Sequence, residues 1–443
     1  MRDAWALPAA YPAGEDRRAA ALPQRLLNFI LFITVLTSFV AFIEPSPHDA
    51  LVVGLLIAGV AARVKFDRKL TPLLLLLIAW LIGGFMSLVQ VGDEMKPVQY
   101  VATSFYLCVA ALTFASLVDD GDLARLAIVR RAYVIAALLA TAAGYIGFFH
   151  LTPHSDLFLL NDRVSATFKD PNVYGPFLIF PLMLLMTEML TRGVKLVNLG
   201  VAVLLLGGLL LSFSRGAWLH FVVTAIAAIA LLLAAAPDRR MRGRIILLGV
   251  IAAAGMALLL VALVSIDSVH DMFIERAKAI QPYDVGPGGR FWEQRLALNA
   301  ILDHPNGMGP FEFFRIFGVQ QHNVYMQGFL VYGWFGGAAY LALVLVTVAT
   351  GLRVVLVQTP WQTFFIAAYA TFVGEAVEGL IVDTDHWRHF FLLLGLIWGL
   401  SVATINFYRR SAAATDSGEA AAAAPARARM RPPRASLSAT AVR

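Results

Sequence analysis

Blocks of apolar residues roughly 20 long recur along this 443-residue chain, each the length a helix needs to cross ~30 Å of hydrocarbon. A backbone inside lipid finds no water to bond, so only helices and closed barrels can span it. A transmembrane barrel would show alternating stretches of ~10 residues, and none appear. The expected fold class is therefore all-α, a polytopic transmembrane helix bundle. Composition points the same way: 59% of residues are hydrophobic and 14% charged, where a soluble domain is about half and a quarter.

Hydropathy predicts about twelve spans, near 26–43, 50–63, 71–90, 98–118, 132–150, 173–190, 195–212, 216–236, 245–265, 324–350, 361–382 and 389–407. They divide the chain into a polar N-terminal segment 1–24, a transmembrane domain 25–408 and a tail 409–443. The first segment carries Arg2, Arg17 and Arg18 ahead of the first apolar block, as an uncleaved signal-anchor does. The tail is Ala/Arg/Ser/Pro-rich and is expected to be disordered and cytoplasmic. It holds seven Arg against Asp416 and Glu419, most of the net charge of +6. The basic balance is thus a tail property, and no nucleic-acid partner is expected. A single cysteine, Cys108, excludes an internal disulfide or a Cys-rich metal site.

With the N-terminus inside, inner segments carry 25 Lys/Arg and outer segments 10. That bias favours cytoplasmic termini. It leaves two sizeable outward loops, 151–172 and 266–323. In the larger, RFWEQRLALNAIL (290–302) reads as a short amphipathic helix on the membrane surface, with Phe291, Leu298 and Leu302 on one face. Pro305, Gly307, Gly309 and Pro310 then break it.

Unusual polar residues concentrate on this outward side. The first loop contributes Arg163, Lys169, Asp170 and Asn172, a turn between two spans contributes Arg215, and the large loop contributes Arg290 and His322-Asn323. Arg215 lies at the hydrocarbon edge, where a cation either snorkels to anchor the helix or faces an interior cavity. Converging guanidinium groups suit a diphosphate, because each is always charged and bidentate to phosphate oxygens. The alternative is a basic surface for lipid head groups. No metal site is expected.

His322 reads either as a hydrogen-bonded loop histidine or as a general base. Asn323 is positioned to cap the next helix, and a positive helix end would keep the ring neutral and able to take a proton. Gly333 and Gly336 would let another helix approach closely. Glu375 and Glu378 share one face of the eleventh span. They are the best sequence argument for a proton-coupled or glycolipid transporter; alternatively Glu378 lines the outer cavity and pairs with an arginine.

These residues carry a resemblance. The segment from about 160 to 350 resembles the O-antigen ligase and polymerase superfamily of bacterial polysaccharide membrane proteins. SRGAW (214–218) opens a span, GGRFW (288–292) leads into the amphipathic helix, and His322-Asn323-x9-Gly333-x-x-Gly336 matches the ligase pattern H-[NSQ]-x9-G-x-x-[GTY] in full. The resemblance implies a cofactor-free, metal-independent glycosyltransferase at the periplasmic face of the bacterial inner membrane. Its donor would be a glycan on undecaprenyl diphosphate, its acceptor lipid A-core or a growing glycan. Arg215 and Arg290 match the family's diphosphate arginines, and His322 its proposed base. Arg163 matches less specifically, and Asn172, Asn323, Tyr325 and Glu378 are expected beside the substrate. The ligase reading is preferred to polymerase of O-antigen or exopolysaccharide repeats.

Overall fold

The computed structural model describes residues 21–276 and 288–416. In it the apolar blocks form helices: α1 (Ala21–Leu36), α2 (Pro47–Ala61), α3 (Thr71–Leu88), α4 (Met95–Val118) and α5 (Leu123–Phe148). After a two-residue hairpin, β1 (Leu159–Leu160) and β2 (Arg163–Val164), come α6 (Pro171–Phe177), α7 (Ile179–Arg192), α8 (Leu196–Leu211), α9 (Arg215–Ala235) and α10 (Arg239–Val264). The large loop contains α11 (Asp267–Arg276), α12 (Arg290–Asp303) and α13 (Glu312–Phe317), and the bundle closes with α14 (Val324–Val354), α15 (Gln362–Glu378) and α16 (Arg388–Asp416). The protein is an all-α polytopic helix bundle.

Every expected span coincides with helix. Among the described residues nine helical segments are long and apolar enough to cross a membrane. Pro47–Ala61 and Leu196–Leu211 are shorter apolar helices, and α15 has 17 residues. At 1.5 Å per residue, the 15 residues of α2 reach only ~22 Å, less than the hydrocarbon thickness. The expected sixth span is two helices, α6 and α7, parted at Leu178 just ahead of Pro181, whose ring cannot donate to the preceding turn. Helix α16 runs to Asp416, into the segment expected to be disordered, because Ala412–Ala414 are strong helix formers. The expectations for 1–20 and for the rest of the tail lie outside the described residues.

Helices without a hydrophobic driving force between them associate where small residues let backbones approach. The closest pairs here are α14 on α3, α16 on α4 and α15 on α9. Gly395 of α16 sits so near α4 that a Cβ there would lie 2.5 Å from the Ala111 carbonyl. Gly336 does the same for α14: a Cβ on Gly83 of α3 would meet its Cα at 2.5 Å. Other faces stay apolar and uncovered, as lipid-facing surfaces should. Ile245 is the buried residue of α10, while Leu258 and Val261 are 71% and 65% exposed.

Contacts between loops define two ends of the bundle. At one, Asp67 accepts from Asn406, and Gly121 lies against Trp361. At the other, Thr167 donates to the Phe39 carbonyl, Lys169 pairs with Glu44 at 2.7 Å, and Arg388 makes a two-pronged bond to Asp49 at 2.8 and 2.9 Å. The large loop and the 379–387 turn belong to this second end.

The large loop is wedged into a helix. Helix α14 breaks at Gly333, where φ 69° and ψ −177° lie in a region essentially reserved for glycine. The break leaves backbone groups that lipid could not satisfy. The loop supplies partners: Trp334 N donates to the Pro305 carbonyl at 2.8 Å, and Leu330 O accepts from Met308 N at 2.7 Å. Gly307 (φ 79°) meets Gly333 with no room for a side chain on either. Gly333 therefore serves to admit the loop, and Gly336 is the glycine that lets another helix close in.

Helix α12 ends at Asp303, ahead of the expected Pro/Gly turn. Ala297, Ala300 and Ile301 are buried with Leu330 of α14, while Leu298 and Leu302 remain exposed. The small alanines allow the close approach, and Trp334 Nε1 bonds the Ile301 carbonyl at 2.8 Å. The larger leucines are left for the membrane surface.

Candidate active site at the loop end of the bundle

Asn172 is the hub of the first half of the site. Asp170 caps α6 by accepting from Asn172 N at 2.7 Å, which fixes the residue at the helix start. Its Oδ1 accepts from Arg163 Nη2 at 2.9 Å and from Ser214 Oγ at 2.8 Å. Arg163 Nε also donates to the Ser212 carbonyl at 3.1 Å. The β2 arginine is thereby tied to the turn that precedes Arg215.

Arg215 is the first residue of α9, half-buried, with Ser214 as its N-cap. The residue two before it, Phe213, has φ 48°, a left-handed conformation that is strained for an aromatic residue. Such strain collects where function demands it. Trp218, one turn on, packs against Phe273 of α11 with ring centroids 5.5 Å apart, seating the large loop on this helix.

The second half hangs from the C-terminal turn of α15. Asn323 caps α14 as expected, accepting from Tyr325 N at 3.0 Å and Met326 N at 3.1 Å. Its Nδ2 donates to the Leu380 carbonyl at 3.0 Å, Val324 N to Gly379 O at 2.8 Å, and Tyr325 OH to Ala376 O at 2.6 Å. His322 is half-buried with φ 46°, a second strained left-handed residue.

Helix α15 joins the two halves. A Cβ on Gly216 would stand 2.9 Å from Glu378 Oε1, so the residue after Arg215 touches the turn that holds Asn323 and Val324. Glu378 and Glu375 share a face, as expected, and both are fully buried. A partner of Glu378 is His220, at 2.8 Å; His220 also bonds the Thr371 carbonyl at 3.0 Å. His389 Nε2 lies 3.2 Å from Glu375 Oε1 without the alignment of a hydrogen bond. Sequence reasoning missed these two histidines: His220 sits inside an apolar block with Glu378 far away in the chain, and His389 lies at the start of α16, across the 379–387 turn from Glu375.

The structure thus brings together Arg163, Asn172, Arg215, Glu378, His322, Asn323 and Tyr325. Arg290 opens α12, and its side chain lies outside the described residues. Among the described residues no group of three or more His, Cys, Asp or Glu side chains is placed to hold a metal ion.

A polar cluster that the sequence did not single out adjoins His322. Tyr100 OH donates to Asp385 at 2.6 Å, and His386 Nε2 meets Ser104 Oγ at 2.9 Å. Burial holds His386 below the usual histidine range, against the pull of the Asp385 charge. The run Asp383-Thr384-Asp385-His386 between two apolar spans was the available signal.

A multi-pass membrane protein with its densest polar constellation at one end of the bundle is the class these features define. Residues 200–341 match the model of the family described as O-Antigen ligase. That match supports the O-antigen ligase/polymerase superfamily for this chain. It contains Arg215, Arg290, His322 and the Gly333 break, and leaves Arg163, Asn172 and Glu378 outside. No curated protein matches the chain.

Proposed function

We propose that the protein is a membrane glycosyltransferase that moves a glycan from undecaprenyl diphosphate to an acceptor hydroxyl, without metal or cofactor, at the periplasmic face of the inner membrane. The O-antigen ligase domain supports the reaction class and the polyprenyl-linked donor. One observation carries the site: the segments bearing Arg163, Arg215 and His322 are all bonded or packed around Asn172 and the end of α15.

Arg215 and Arg290 both stand at helix N-termini, where the backbone adds positive potential to the guanidinium charge. In this reading they bind the donor diphosphate, with Arg163 beside them. His322 takes the proton from the acceptor hydroxyl, whose oxygen attacks the anomeric carbon. The bond from that carbon to the diphosphate oxygen breaks, and its electron pair leaves on the diphosphate with inversion at carbon. The arginines stabilise the charge as it grows, an effect that is usually the largest in such catalysis. The acceptor is lipid A-core, as in a ligase.

In a strain lacking this gene, complementation with wild type restores the lipopolysaccharide ladder on a gel, and His322→Ala or Arg215→Ala does not. A single-repeat rung in the deletion strain would identify a polymerase instead, and lost extracellular polysaccharide with an unchanged ladder would indicate exopolysaccharide assembly. The buried pairs His220–Glu378 and Glu375–His389 favour a second reading, a transporter. It would be supported if Glu375→Gln abolished surface polysaccharide while the His322 and Arg215 variants kept it.

A further inference from the structure

Next to His322 lies a cavity of about 260 Å³ between the large loop, α4 and the 379–387 turn. That is room for about eight waters at ~30 Å³ each, and just under the ~300 Å³ at which pockets for drug-sized ligands begin. It is the size of one small ring.

A continuous hydrogen-bond chain lines it. Gln321 Nε2 donates to Gln327 Oε1 at 2.6 Å and to Asp383 Oδ1 at 3.2 Å. Gln327 Nε2 donates to Tyr100 OH at 3.1 Å, and that hydroxyl donates to Asp385 Oδ2 at 2.6 Å. Both N–H groups of Gln321 and the Tyr100 proton are spent within the chain. Its remaining capacity is mainly acceptor oxygen, headed by the Asp385 carboxylate. Such a surface welcomes hydroxyl donors and repels phosphate and carboxylate.

The mouth is aromatic. Phe311 and Phe314 line the cavity yet remain 50% and 53% exposed, and Phe311 is held at φ 69° with its ring edge-on to Tyr100 at 5.3 Å. An exposed aromatic face beside hydroxyl acceptors matches a pyranose, which presents apolar C–H groups on one face and hydroxyls around its rim.

We infer that this cavity is a subsite for one uncharged pyranose ring of the glycan substrate, gripped by the Asp383–Gln321–Gln327–Tyr100–Asp385 chain and covered by Phe311 and Phe314. The inference rests on the glycosyltransferase reading for the identity of its ligand. Gln321 precedes His322 directly, so the bound ring lies beside the base and the subsite selects which sugar is presented. Uronic acids are disfavoured by Asp385.

Saturation-transfer NMR on the full chain in lipid nanodiscs tests this, with methyl β-glucoside, methyl N-acetyl-β-glucosaminide and methyl β-glucuronide as probes. At least one neutral glycoside is expected to bind about tenfold more tightly than the glucuronide. Its signal is expected to vanish in Phe314→Ala and in Gln327→Leu, with thermal stability retained in the surface Phe314 variant. Neutral binding that survives both substitutions, equal binding of the glucuronide, or no binding of any probe overturns the subsite. If the subsite fails in this way while His322→Ala still abolishes the polysaccharide ladder, the transferase stands alone. If binding maps to the cavity but His322→Ala leaves the ladder intact, the subsite stands and the transferase reading falls.

Discussion

Asn323 Nδ2 donates to the Leu380 carbonyl at 3.0 Å while its Oδ1 caps α14, so one amide both starts the helix and pins it to the turn after α15. The backbone that carries His322 is held from both sides by this residue. Asn323→Ala should cost about 1–2 kcal/mol, the value of a lost cap and a lost hydrogen bond. Asn323→Asp keeps the cap and loses the donation, so it should recover part of that stability. Thermal unfolding of the detergent-solubilised variants measures both.

Gly333 is required by backbone geometry. At φ 69° and ψ −177°, with Asn306 2.6 Å from a built Cβ, alanine there is both strained and obstructed. Gly333→Ala should destabilise by about 3 kcal/mol or more and release the 305–309 loop. Limited proteolysis of that loop should accelerate. Gly243→Ala, inside α10 where nothing lies within 4 Å, is the control and should stabilise by up to about 1 kcal/mol.

These two positions show what sequence alone could convey. The spans were legible because hydropathy at ~20-residue length has one cheap structural solution, and the Asn323 cap because capping is local. The Gly333 break was not: a glycine inside an apolar run reads equally as close packing, and the loop that fills the break is distant in sequence. On α12 the exposed Leu298 and Leu302 were legible as an apolar face, whereas the contact with α14 is made by Ala297 and Ala300, whose small side chains carry no signal of it. The pair His220–Glu378 is separated by 158 positions and follows no local rule. Of the candidate site, the residue types were readable; their order around α15 was not.

Gly216, the residue after Arg215, lies against Glu378. Gly216→Ala would place its Cβ 2.9 Å from Glu378 Oε1, which must shift. We expect glycan transfer to fall by about tenfold or more, since a displacement near 1 Å can cost 10²-fold. Combining Gly216→Ala with Glu378→Gln should give less than the product of the two single effects. Strict additivity in transfer rate would show that the two residues act independently.

At the opposite end, Asp119 lies outside the spans, its pKa pushed up to about 7 by burial and by the charges of Asp120 and Asp67. The folded state then holds a proton that the unfolded state releases above about 4. Stability from this group is full below that value and is lost as pH rises through 7. Asp119→Asn should therefore raise the unfolding temperature at pH 8 and leave it unchanged at pH 4. An identical gain at both values would place the effect elsewhere.

The most direct test of the account is release of undecaprenyl diphosphate from a lipid-linked glycan by the purified chain in liposomes, with acceptor and EDTA present. The account predicts release coupled one-to-one to glycan transfer, lost by about 10²-fold or more in His322→Ala and in Arg215→Ala. Release that requires an added divalent cation, or that persists at the wild-type rate in both variants, would contradict it.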